Sequence, residues 1–103
     1  MQPIRQGDLI LLPVQDVDIA QNKANSLLPH LTLAEGEVTG HKHRIIEGKA
    51  ELYEKDGTLY LRVISETALL AHEEHKAISI PQGSWLVRIQ REYEPTSWRY
   101  VAD

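Results

Sequence analysis

Cysteine is absent from the 103-residue chain. The fold can use no disulfide, and any metal must be held by His, Asp, Glu or water, which excludes thiolate zinc fingers and iron–sulfur clusters. No apolar run approaches the length of a membrane span. The N-terminal stretch MQPIRQGDLI lacks the apolar core of a signal peptide, so the expected location is the cytoplasm. Positive charge is also scarce. Eleven Lys and Arg stand against 15 Asp and Glu, a formal net charge of −4, which opposes the cation–phosphate contacts that dominate nonspecific nucleic-acid binding. There is no P-loop, no dinucleotide fingerprint and no nucleophile elbow, and neither an internal repeat nor a low-complexity tract is visible.

What is present reads as one all-β domain. Apolar residues make up 42% and charged residues 25%, a globular balance, and a chain this short builds a single core. Gly7-Asp8 precedes the apolar run LILLPV, which predicts a buried first strand. From Leu31 onward short runs follow one another over 31–35, 37–47, 50–55, 58–65, 67–72, 76–80, 84–93 and 97–101. Glu35-Gly36, Gly48, Asp56-Gly57 and Pro81-Gln82-Gly83 stand between several of them as turn-formers. Asp-Gly between alternating runs is a strong hairpin signal. Seven to nine short strands at this spacing predict a small barrel or sandwich, with a loop or short helical turn near residues 16–27. Alternation places Leu59, Leu61 and Val63 on one face and Tyr60 and Arg62 on the other. Trp85, Val87 and Ile89 share a face whose parity continues to Arg91 and Tyr93, which puts those two at the mouth of a pocket.

Histidine is concentrated. Four of the five histidines fall in two tight pairs, GHKHR and AHEEHK. On a strand, residues i and i+2 point to the same side. His41 and His43 therefore project together on the face that Ile45 continues, with Lys42 and Arg44 on the solvent side. His72 and His75 become cross-strand neighbours if Glu73-Glu74 are the central residues of a tight hairpin, although Glu-Glu suits such a turn poorly and a longer loop fits the same residues. His72 shares parity with Leu70, which marks it as the inner member of its pair. His30, after Pro29, reads as a loop residue.

Gly36, His41-Lys42-His43 and Glu47 resemble the first motif of the cupin superfamily, in which Gly, five residues, His-x-His, three or four residues, Glu, six residues and Gly follow in order. Here the first Gly lies one residue closer, and Glu54 stands where the closing Gly would be. Pro81-Gln82-Gly83 resembles the start of the second cupin motif, but Leu86 occupies its histidine position. The resemblance covers about half of the middle of the chain. It implies a small β-barrel with His41, His43 and Glu47 as metal ligands. By its parity His72, from a neighbouring strand, can take the place of the missing histidine, and at least one of His72 and His75 is expected to reach the same ion as His41 and His43. The combination of GHKH, HEEH and QREY also resembles a family of small bacterial proteins, a likeness that implies no activity.

Three functions fit these residues. One is a metal-binding protein in which His41, His43, Glu47, His72 and His75 hold zinc, iron, manganese or nickel, with the metal activating water or dioxygen toward a small-molecule substrate. Another is a metal-free ribonuclease or phosphodiesterase with two histidines as acid and base. The third is a noncatalytic module of a homo-oligomer.

Overall fold

The computed structural model describes residues 2–15, 26–35 and 40–90. All regular structure within them is β: β1 (Ile4–Gln6), β2 (Leu9–Val14), β3 (Ser26–Leu27), β4 (Thr32–Glu35), β5 (Lys42–Glu47), β6 (Ala50–Lys55), β7 (Thr58–Ala71) and β8 (Ile78–Ile89). Every pairing is antiparallel. The path is β1-β2-β8-β7-β5-β4, with β6 also on β7 and β3 on β6. The all-β expectation holds, but the sheet does not close into a barrel. No helix among the described residues is long and apolar enough to cross a membrane.

Two tight turns carry the sequence signals. Lys55 pairs Thr58 across Asp56 (φ 52°) and Gly57 (φ 80°). Two consecutive positive φ values make this the type I′ hairpin expected of Asp-Gly. Gln6 pairs Leu9 across Gly7 (φ 61°) and Asp8, where only the first central residue is left-handed, as in a type II′ turn.

The two longest strands depart from the expected punctuation. The runs 58–65 and 67–72 merge into a single strand over the range Thr58–Ala71, and 76–80 and 84–93 into another over the range Ile78–Ile89. Val63 pairs Gly83 and Thr67 pairs Pro81, so residues 64–66 of β7 bulge opposite Gln82 alone. The amide of Gln82 donates to the Ile64 carbonyl (2.6 Å) and holds the bulge. Pro81-Gln82-Gly83 is therefore not a turn. Pro81 is tolerated because β2 joins β8 only from Ser84 onward, so its missing N–H leaves no second neighbour unpaired.

The bulge divides the sheet. Below it, β7 lies between β6 and the second half of β8. Above it, β7 lies between β5 and the first half of β8. One apolar cluster draws on both parts, with Leu9, Leu11, Leu52, Leu61 and Trp85 from one and Leu33, Ile45, Leu70 and Ile80 from the other. The two parts thus fold toward each other, since a core of interdigitated side chains needs facing surfaces. The parity expected for Leu61, Val63 and Trp85 holds. Ser26 and Leu27 pair with β6 rather than forming the end of a loop or helix, while residues 16–25 lie outside the described residues. So do Arg91 and Tyr93, together with their expected place at a pocket mouth.

Candidate metal centre

The strand register assembles the histidines. Arg44 pairs Ala71 and Ile45 pairs Leu70. Continued by one residue, the same register sets His43 opposite His72, then Lys42 opposite Glu73 and His41 opposite Glu74. The contacts follow that order. The His43 and His72 rings lie 4.3 Å apart, the Lys42 N–H donates to Glu73 Oε1 (2.8 Å), and His41 Nδ1 lies 3.7 Å from Glu74 Oε1. The paired strands stop at Leu70 and Ile78, so Glu73-Glu74 sit in a longer loop and not in a two-residue turn. Within it His72 Nδ1 accepts the Glu74 N–H (3.0 Å). That bond tightens the chain enough to bring His75 back, with its ring 4.7 Å from His72 and 6.2 Å from His43. His41 and His72 are in edge contact at 5.6 Å.

All four paired histidines therefore converge at one end of the sheet. Glu47 does not join them. Moving up β5 from His43 to Glu47 means moving down β7 from His72 to Leu69 in an antiparallel pair, and each residue adds over 3 Å. Glu47 is exposed and lines a shallow depression of about 280 Å³ with Gly48, Ser65, Glu66, Thr67, Leu69 and Ser79. Its expected place beside the histidines rests on the cupin-like spacing, and the strand register, with a bulge between Ile45 and Glu47, carries it away from them. His30 is also apart, its Nδ1 accepting the Thr32 N–H (3.2 Å).

Three residues of the centre carry no histidine signal. Gln6 is buried at the end of β1. Its amide NH₂ donates to the carbonyls of Leu70 (3.0 Å) and Lys76 (3.0 Å), which fixes the amide orientation and turns Oε1 to His43 Nδ1 (2.9 Å). Asp8, delivered by the type II′ turn, places Oδ1 3.2 Å from His43 Nε2. The third is Glu73. Its carboxyl is held below the ordinary carboxylate pKa, first by the Lys42 N–H and next by its own backbone N–H. The sequence signals for these residues are weak: Gly7-Asp8 reads as punctuation before a strand, and Glu73 as a solvated turn.

The histidines differ in their bonding. His43 is 1% exposed and has a contact at each ring nitrogen. Burial pushes its pKa below the ordinary imidazole value and the neighbouring His72 pushes the same way; the Asp8 hydrogen bond and charge pull it back up, and His75 lowers it again. His41 is the opposite case. Its side chain is 22% exposed, yet its Nδ1 is buried with no hydrogen-bond partner, an arrangement that costs about 1–3 kcal/mol when left unsatisfied. His41, His72 and Glu73 each offer a ligand atom, all three within 4.8 Å of one another. His75 is exposed, and its ring lies over Gly7 so closely that a Cβ there would meet Nε2 at 2.5 Å.

No curated protein and no solved structure matches the chain, and the cupin likeness of the sequence finds no matching family. The family described as "Domain of unknown function (DUF8820)" matches residues 5–90, both arms of the histidine centre included, and the chain belongs to that family.

Proposed function

We propose that the protein binds a divalent transition-metal ion through His41, His72 and Glu73. The observation that carries this reading is the buried Nδ1 of His41, which has no hydrogen-bond partner and only a 3.7 Å approach to Glu74 Oε1, on a residue that stands beside a second imidazole and a carboxylate. A cation bound through Nδ1 would give that nitrogen a partner, and the site needs no thiolate.

The fit requires a modest contraction. Metal–nitrogen bonds of about 2.0–2.1 Å put tetrahedral ligand atoms about 3.3–3.4 Å apart, whereas the three here lie within 4.8 Å. Glu73 and His72 sit on a loop, which supplies the freedom for the approach. It also requires one bond to break. While His72 Nδ1 accepts the Glu74 N–H, the imidazole proton is on Nε2 and neither nitrogen can ligate. Metal binding through either nitrogen therefore releases the Glu74 N–H and rearranges the 72–74 turn.

Two imidazoles and a carboxylate suit zinc, iron, manganese or nickel. Three protein ligands leave a position for water or a small molecule, and a bound metal makes such water more acidic. Calorimetric titration of untagged, metal-stripped protein with zinc tests the reading. Binding that weakens at least tenfold in both His41→Ala and Glu73→Gln supports it, and binding unchanged by either variant refutes it.

A further inference from the structure

The loop that carries His72 and Glu73 is closed by the Leu70–Ile78 pair of β7 and β8. A loop of this length has many conformations, and bringing its ligands to the one that holds an ion costs entropy. The structure places a brace across its base. Gln6 is 3% exposed, and its amide nitrogen donates to the carbonyls of Leu70 and Lys76, both at 3.0 Å. Leu70 precedes the loop and Lys76 lies on its descending limb, so the two donors of one planar group fix the separation of the two feet. The bond to Leu70 is buried and that to Lys76 partly so, which limits competition from water. Two further contacts come from the same hairpin. Gln6 Oε1 is 2.9 Å from His43 Nδ1, and the His43 ring packs at 4.3 Å on that of His72. Gly7, the next residue, leaves room under the His75 ring that a Cβ would fill.

We infer that Gln6 is a positioning residue of the metal centre: without ligating the ion, it braces Leu70 and Lys76 so that the loop presents His72 and Glu73 together toward His41, and it thereby sets the affinity for the ion. The feet of the loop are held while its tip, residues 72–74, keeps the freedom to close on the ion, so the brace is compatible with the contraction that ligation requires. A preorganised loop loses less entropy on binding than one that is free at both feet. The coupling is reciprocal. An ion at the tip holds the loop in the conformation that Gln6 grips, so the two amide bonds open less often when the metal is bound. This gives the three-residue β1 a role in binding that its length does not suggest.

The inference rests on the metal reading above, and the two can fail separately. Zinc titration calorimetry and the cobalt(II) absorption spectrum of untagged, metal-stripped protein test it. Gln6→Met keeps the length of the side chain and loses both donors. Its zinc affinity should fall about tenfold or more, and its spectrum at saturating cobalt should differ from that of the wild type, because the ligands no longer meet the ion in the same geometry. Gly57→Ala strains the turn at the opposite end of β7 and destabilises the fold without touching the loop, so its affinity and spectrum should be those of the wild type. If Gln6→Met has wild-type affinity and spectrum while His41→Ala loses the ion, the inference is overturned and the metal site stands. Equal losses in Gln6→Met and Gly57→Ala are a general effect of stability and overturn it too. Should Gln6→Met fail to fold, the wild type decides: zinc should slow the solvent exchange of the Gln6 side-chain amide protons severalfold by NMR, and an unchanged rate overturns the inference. Zinc uptake indifferent to both His41→Ala and Glu73→Gln, or no uptake at all, overturns the metal reading and this inference with it.

Discussion

Two tight hairpin turns among the described residues are built from the same two residue types, Gly7-Asp8 and Asp56-Gly57, and they have opposite roles. Around Gly57 there is open space, since a Cβ there would meet nothing within 4 Å. Its positive φ serves chain reversal alone. At Gly7 an added Cβ would run into the His75 ring, the next residue carries the carboxylate that faces His43, and the residue before it holds the amide that orients His43. A turn signal in sequence states where a chain reverses, whereas the surroundings of the turn decide whether its side chains are solvent or site. Within the first hairpin, β1 is only three residues long, yet its last residue ties the turn to β5, β7 and the 72–77 loop.

The sharpest way to break the comparison is to remove what the first turn organises. His43→Ala should destabilise the protein by about 3 kcal/mol, from the lost volume together with the Gln6 and Asp8 groups left without their partner, measured by urea denaturation. Gln6→Ala removes contacts to two carbonyls and His43 and should cost about 2 kcal/mol. Alanine at the two turn glycines then compares the turns directly. Each substitution costs about 1–2 kcal/mol for the left-handed backbone, but only Gly7→Ala displaces the His75 ring, so only it should shift the His75 imidazole resonances in an NMR spectrum. Equal spectra for Gly7→Ala and Gly57→Ala would remove the distinction.

A smaller effect concerns pH. The folded-state pKa of His43 is depressed, so the unfolded chain takes up a proton first as the pH falls below about 6.5. Stability from this group is present above that value and is lost progressively as the pH drops toward the folded pKa. Metal-stripped wild-type protein should thus have a lower melting temperature at pH 5 than at pH 7. Substituting His43 by Gln should flatten that slope by the share belonging to this group.

The strands were legible where one face meets the core. Arg62 lies between the buried Leu61 and Val63, and Arg44 between the buried His43 and Ile45, and period-2 burial follows from that pattern. Asp56-Gly57 was legible because its backbone demand is local. The joining of residues 58–71 into one strand was not, since Glu66 looks like a break between 58–65 and 67–72 and the bulge that absorbs it is fixed by a distant strand, through Gln82 and Pro81. In the candidate site, the shared face of His41 and His43 came from spacing alone. The expectation for Glu47 came from the cupin-like spacing, which states nothing about register, and the register sets that residue opposite Leu69. Gln6, Asp8 and Glu73 stayed hidden for a common reason: each reaches the histidines across a contact that only the folded register creates.

A divalent metal held by His41, His72 and Glu73 is directly visible by anomalous diffraction at the zinc edge, on crystals of untagged protein grown with zinc. An anomalous peak is expected within bonding distance of His41, His72 and Glu73, with the Glu74 N–H no longer bonded to His72. Zinc-grown crystals with no peak at these three residues, and with the Glu74 N–H still on His72 Nδ1, would contradict it.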